Sequence, residues 1–306
     1  MTTLVVGGAG FIGAELTESL ARQGEPVVSF DLKTLDIDHE NVTSITGDVT
    51  DFAAVEDAVE TYEPDRVVNL AYLLGAESDR SPERAVRVNC VGMDNVLRAA
   101  VGGGVERVVY ASSIAVYGSP DDYSDTIHEN VRPHAAYASY PLLFYSATKQ
   151  LNEYQARIYA DRSGGSMGVV AVRPSIVFGP GRTGGLTQWA SDVVTKPVRG
   201  ESVHLPFSPE QPLGLIYRDD VAALIRQLLD ADDLAHDAYN TGDIVVTARE
   251  LADAVADEFG GSVTFDDDAD PLPLVADVSH RRAAAEFGYT PTSLREAIRR
   301  HAEEVR

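Results

Sequence analysis

Residues Thr3–Val6 form a short apolar run that breaks into Gly7-Gly8-Ala9-Gly10-Phe11-Ile12-Gly13 and then into a helical pattern over Ala14–Gln23, ended by Gly24. This strand, turn and helix constrain the fold more than any other segment. The first glycine permits a tight turn, the second lets backbone approach a pyrophosphate, and the third lets the helix pack close to the strand. The N terminus of the helix then faces the negative charge. A second apolar run, Val27–Phe30, ends at Asp31, 18 residues beyond Gly13. A carboxylate at that spacing accepts hydrogen bonds from the adenosine ribose of a dinucleotide. It also repels a 2′-phosphate, so the pattern favours NAD over NADP, although Lys33 lies nearby.

The rest of the first half keeps the same rhythm. Apolar runs at Val42–Ile45, Arg66–Ala71 and Val105–Ala111 alternate with helical patterns at Ala53–Thr61 and Ser81–Ala100. Such alternation predicts a doubly wound α/β fold, a parallel sheet covered on both faces. Tyr145–Ala160 reads as a further helix and Gly168–Arg173 as a sixth strand. Stretches rich in Pro and Gly at Phe178–Gly185 and Leu205–Gly214 read as loops over a site. Helices are expected at Val221–Leu229, Ala248–Phe259 and Ser293–Val305. The division expected is a nucleotide-binding domain over 1–173 and a mainly substrate-binding part over 174–306, with some chain returning to the sheet.

Charge narrows the partners. The chain has 48 acidic against 25 basic residues, a formal net charge of −23. A basic face for nucleic acid is therefore not expected, nor attraction to an anionic membrane. No apolar run has the length of a membrane span and no charged leader precedes the first strand, so a cytoplasmic location is expected. Within the basic set there are 3 Lys and 22 Arg. Crowded carboxylates of this kind also fit adaptation to high salt. Cys90 stands alone, which excludes an internal disulfide, and the seven histidines do not cluster at metal-ligand spacing, so no metal is expected.

The chemistry is concentrated in two segments. Tyr145-Ser146-Ala147-Thr148-Lys149 puts a phenol and an ammonium four residues apart, on one face of a helix. The ammonium is expected to lower the phenol pKa towards neutrality, so that Tyr145 can exchange a proton. Ser112-Ser113 follow the fifth strand, where ligands of open sheets bind. Ser113 is expected to orient the substrate oxygen, with Ser112 as the alternative.

On these motifs the chain resembles the extended short-chain dehydrogenases/reductases, the NAD-dependent epimerase/dehydratase family. Gly47-Asp48-Val49, Asn69-Leu70-Ala71, Val88-Asn89, Arg173-Pro174 and Tyr239-Asn240-Thr241-Gly242 carry the likeness further. It implies a Rossmann domain and NAD held by Gly7, Gly10, Phe11, Ile12, Gly13 and Asp31. It adds Asp48 and Val49 at the adenine, Leu70 and Ala71 along the channel, and Asn89 in support. Tyr145, Lys149, Pro174 and Ile176 would stand by the nicotinamide. Ser113, Tyr145 and Lys149 would be the catalytic set. The likeness also implies a homodimer built on the Ser81–Ala100 and Tyr145–Ala160 helices.

The substrate is less defined. Relatives acting on nucleotide-sugars tend to carry Asn where Ile176 stands and Arg where Leu213 stands, and a later basic residue where Asp266–Asp270 lies. Arg182 and Arg218 are the candidate replacements. Gly184-Gly185-Leu186-Thr187 resembles instead a stretch of the short-chain L-threonine dehydrogenases. The expected substrate is thus a small molecule with a sugar-like or other small polar secondary alcohol, bound by Ser113, Thr187 and Arg182. The alternatives are a UDP-sugar 4-epimerase, an L-threonine dehydrogenase-like enzyme and a non-catalytic NAD-binding protein. His204 and Trp189 are candidates for the pocket wall or for plain loop and core positions.

Overall fold

The structure, a computed structural model, describes residues 1–134 and 142–306. Strands and helices alternate from the start: β1 (Thr3–Val6), α1 (Phe11–Arg22), β2 (Val27–Asp31), β3 (Val42–Thr46), α2 (Phe52–Tyr62) and β4 (Arg66–Asn69). There follow α3 (Gly75–Arg80), α4 (Pro82–Ala85), a π-helical turn (Val86–Val91) running into α5 (Gly92–Gly102), β5 (Arg107–Ala111), α6 (Leu143–Arg162) and β6 (Gly168–Arg173). The remaining elements are β7 (Ile176–Phe178), α7 (Trp189–Val198), β8 (Val203–Leu205), β9 (Pro212–Tyr217), α8 (Arg218–Asp230), β10 (Ala238–Asn240), β11 (Ile244–Thr247), α9 (Ala248–Phe259), β12 (Val263–Phe265), α10 (Arg281–Phe287) and α11 (Leu294–Val305).

The main sheet has the order β10-β6-β5-β4-β1-β2-β3, and every pairing in it is parallel. Its central strands are buried on both faces, which is why they read as continuous apolar runs. Side chains alternate between the faces. Leu4 and Val6 pack with Val55, Val59, Met93 and Leu97 from α2 and α5. Val5 points the other way, to Leu16 and Leu20 of α1 and to Leu224 and Leu228 of α8. The strand order reverses between β1 and β4, and the crevice at their carboxyl ends is where open α/β sheets take ligands.

Later chain builds a second layer. β11, β9 and β7 form a three-stranded sheet, and β12 pairs with β8. α7, α9 and α11 bury Val193, Leu251 and Ile298 against this part. The chain also returns to the main sheet, with Asn240 in register with Arg173.

Two segments of the first half differ from the sequence expectation, and in the second half β9 begins inside the stretch Leu205–Gly214 expected to be a loop. The strand expected to reach Ala71 stops at Asn69, whose Oδ1 accepts from the Ala71 N–H at 3.1 Å and turns the chain, as Asn side chains do. The single helix expected over Ser81–Ala100 is instead α4, a π turn and α5. Within that turn Asn89 faces inward, accepting from Leu73 N at 2.7 Å and donating to Leu73 O at 3.1 Å.

Candidate active site

A cavity of about 810 Å³ opens at the carboxyl ends of the central strands. Gly7, Gly10, Phe11, Ile12 and Gly13 line one side of it, and Leu70, Ser113, Pro174 and Ile176 the others. Gly7 holds φ +82°, and a Cβ there would come within 2.7 Å of Ala71 N. At Gly13 a Cβ would strike the Gly7 carbonyl oxygen. These two positions keep the turn tight and the mouth of α1 open. No side chain caps α1, so its first N–H groups are left to a ligand. Asp31 sits beside the turn, its carboxylate accepting from Ala9 N at 3.1 Å. An open helix terminus next to a fixed carboxylate fits the diphosphate and ribose of a dinucleotide.

Other residues named from the sequence lie behind this surface rather than on it. Asp48 is exposed and closes its own turn, accepting from Thr50 N and Oγ1, both at 2.8 Å. Val49 is buried in the core under Gly92. Ala71 backs Gly7. Asn89 is fully buried and joins the Leu73 backbone to Thr148 of α6, its amide donating to Thr148 Oγ1 at 3.2 Å. None of the four lines the cavity, nor does Asp31.

The catalytic candidates do meet. α6 carries Tyr145 and Lys149 one turn apart, and Asp79 of α3 fixes its first turn by accepting from Phe144 N at 2.7 Å. Ser113 has extended backbone after β5; its Oγ accepts from Ala115 N at 3.1 Å and its hydroxyl is hydrogen-bonded to Tyr145. Ser112 points elsewhere, donating to Glu153 Oε1 at 2.7 Å in a buried pair. Ser113, not Ser112, is therefore the hydroxyl facing the phenol.

Lys149 corrects one expectation. It is buried, with Nζ donating to Ala111 O at 2.6 Å and lying 2.9 Å from the centre of the Tyr72 ring. Burial pulls its pKa well below the usual lysine value. Its nitrogen is 5.5 Å from the centre of the Tyr145 ring, farther than the Ala111 carbonyl and the Tyr72 face that hold it. The Tyr145 phenol is pushed up to about 12 by burial, opposed by the Ser113 hydrogen bond and the Arg182 charge.

The substrate side is mostly apolar. Ile176 is buried in β7, and Leu213 lies within the second core, away from the cavity. Arg218 is also buried, committed to Glu15, Asp219, Glu304 and the Pro180 carbonyl, and does not line the cavity. Arg182 and Thr187 both line it, and the guanidinium donates to Thr187 Oγ1 at 2.7 Å. His204 stands on β8, 3.3 Å from Asp266, and Trp189 packs edge-on to Phe207 with ring centres 4.8 Å apart. Neither lines the cavity. Among the described residues no group of three His, Cys, Asp or Glu side chains could hold a metal, and no helix is long and apolar enough to cross a membrane.

Sequence reasoning missed three contributors. Tyr72 lies under Lys149, and its position one residue beyond Ala71 was the only sequence signal. Ser146 lines the cavity with a buried hydroxyl that has no partner among the described residues. Pro273–Val275 return to the cavity from near the C terminus, and no local pattern announces it.

The chain is similar to known proteins along most of its length. A curated relative from Cupriavidus necator, D-erythronate dehydrogenase, is 28% identical over 283 residues, covering 86% of this chain and 83% of its own. The structure of MoeE5 in complex with UDP-glucuronic acid and NAD is 27% identical with a TM-score of 0.85, covering 99% of this chain and 98% of the other. A partial consensus L-threonine 3-dehydrogenase, at 23% identity, shares the fold with a TM-score of 0.87 over 100% of this chain and 99% of the other. The profile of the NAD dependent epimerase/dehydratase family matches residues 3–242, and the chain belongs to that family.

Proposed function

We propose that this NAD-dependent enzyme is a net dehydrogenase acting on a secondary alcohol of a small polar substrate. The observation that carries the reading is the joining of Ser113, Tyr145 and Lys149 in one cavity with the glycine turn, while the nucleotide-sugar positions Ile176 and Leu213 are apolar. A diphosphate held without charge-assisted donors would bind weakly. A relative aligned over most of both chains is named a dehydrogenase, which supports net oxidation.

The nicotinamide of NAD, when bound, would supply the acceptor for the hydride that leaves the alcohol carbon. Tyr145 takes the hydroxyl proton, and Ser113 holds the same oxygen by donating to it. Lys149 stands ready for the ribose hydroxyls on the nicotinamide side. Leu74, Leu142 and Leu186 line the cavity and exclude water from the reacting groups.

Two further features belong to this reading. A homodimer is supported by Leu143, Leu151, Tyr154 and Ile158, 44–50% exposed on one stripe of α6. A cytoplasmic, salt-adapted enzyme is supported by the acidic composition. The assay is NADH absorbance at high salt with free polyols, sugar acids, L-threonine and UDP-sugars. Net NADH from a free alcohol is the expected result. Conversion of a UDP-sugar to its epimer without net NADH would replace this reading with the epimerase.

A further inference from the structure

We infer that the substrate is a small hydroxy acid whose carboxylate is held by Arg182 together with Thr187, an inference that rests on the dehydrogenase reading. Arg182 and Tyr145 face the same cavity, and the charge of one acts on the other. The guanidinium makes three hydrogen bonds, none of them to a carboxylate: Nε to Gly184 O at 3.2 Å, one terminal nitrogen to Val177 O, and the other to Thr187 Oγ1 at 2.7 Å. A guanidinium has five N–H groups, so one hydrogen on each terminal nitrogen has no acceptor among the described residues. Thr187 accepts from Arg182 and keeps its own hydrogen to donate.

The absence of an acid is informative in a chain with 48 of them. The deeply buried arginines are all neutralised: Arg66 by Glu25 and Asp230, Arg173 by Glu153, and Arg218 by Glu15, Asp219 and Glu304. Arg182, half-buried, has no acidic partner among the described residues; it shares this with Arg107, but the Arg107 guanidinium is met by the carbonyls of Leu228, Ala231 and Asp232 far from the cavity, whereas Arg182 lines it, and burial pulls the Arg182 pKa down to about 10. A desolvated cation without a counter-charge is unfavourable until an anion arrives. The two remaining N–H groups and one hydroxyl match the two oxygens of a carboxylate. Arg80 also lines the cavity, but it is exposed and its Nε is given to Ala76 O. The dinucleotide must share the same cavity, which limits the acid to a short chain.

The reaction balances with the cofactor alone. The C–H bond of the carbinol carbon breaks and its electron pair leaves as hydride to the nicotinamide. The O–H bond breaks and its proton passes to Tyr145. A C=O bond forms, the carboxylate is unchanged, and the products are a keto acid, NADH and one proton.

The test uses matched substrates and two readouts. Short aldonates and 3-hydroxy acids are assayed beside their amides and the corresponding alditols, with wild type, Arg182→Gln and Arg182→Lys. Binding of a deoxy acid that cannot be oxidised is measured by calorimetry on the NADH-loaded proteins. The expected result is turnover of acids, with KM raised about 100-fold in Arg182→Gln, as loss of a charged hydrogen-bonded pair predicts. Arg182→Lys should be intermediate, and deoxy-acid binding should fall in parallel. Amides and alditols should be poor substrates of all three proteins. Equal turnover of acids and alditols, or an acid KM within about 3-fold of wild type in Arg182→Gln, overturns the inference and leaves the dehydrogenase reading standing. If nothing is oxidised, that reading fails. Calorimetry then decides the subsite alone: binding that depends on Arg182 supports it, and no binding overturns it.

Discussion

Tyr145 must lose its proton to act as a base, and its burial works against that. The sign of the pH dependence follows. Below a phenol pKa near 12, each rise in pH increases the fraction of active base, so kcat/KM for alcohol oxidation should climb from neutral to alkaline pH. The reverse reduction needs the protonated phenol and should not climb. Tyr145→Phe should lower oxidation by about 10²–10⁴-fold, the range for loss of a general base, while quenching of protein fluorescence still reports NADH binding. A flat pH profile, or an active phenylalanine variant, would remove Tyr145 from this role. At this scale the sequence was legible where chemistry has a fixed spacing. The Tyr145–Lys149 interval and the position of Ser113 after a strand both carried through to one cavity. The resting place of Lys149 on Tyr72 was not legible, because it depends on a loop brought in from β4. The lack of an acid beside Arg182 was equally hidden, since only the folded surroundings show that none of the described residues supplies one.

Helix α6 holds two catalytic candidates, and its attachment to the sheet is polar as well as apolar. Arg173 of β6 donates to both oxygens of Glu153, at 2.8 and 2.7 Å, and to Tyr117 Oη at 2.9 Å. Tyr117 in turn donates to Asn240 Oδ1 at 2.8 Å. Both charged partners are at most 5% exposed, so removal of one strands the other. Glu153→Ala should therefore cost about 3–5 kcal/mol of stability, read as a lower urea midpoint. Replacing both with apolar residues of similar volume should recover most of that loss. If Glu153→Ala leaves the midpoint unchanged, the pair does not hold the helix. Element by element, β1 to β6 were readable because buried parallel strands are apolar runs bounded by turns. The π turn was not, since its apolar spacing resembles that of an α-helix. β9 was obscured because it starts at Pro212 inside a stretch rich in Pro and Gly. Proline is tolerated at the first position of a strand, and the reading as a loop over the site missed this.

At the scale of the molecule, charge and shape act on one another. Each chain carries a formal charge of −23, and most of its ion pairs lie on the surface, where each contributes little. Self-repulsion at low ionic strength therefore opposes folding, and screening relieves it, since the Debye length shortens to about 10 Å at 0.1 M salt. The melting temperature should rise as KCl is added, and a value indifferent to salt would contradict salt adaptation. The same screening governs association. Leu143, Leu151, Tyr154 and Ile158 make an apolar stripe on α6, extended by Val86 and Val91 of the neighbouring turn, 43% exposed each. Burying that stripe against a second copy is favourable at about 25 cal/mol per Å² of apolar surface. Two chains of the same large negative charge oppose it until salt screens them. Light scattering should thus find monomer in dilute buffer and dimer at high salt. Ile158→Asp should keep the chain monomeric at every salt concentration, because it adds an acid to the apolar stripe that the dimer would bury. Its melting temperature should still rise with KCl, since folding within one chain does not need the stripe. A wild-type chain that stays monomeric at high salt would rule out the dimer and leave the salt dependence of folding intact.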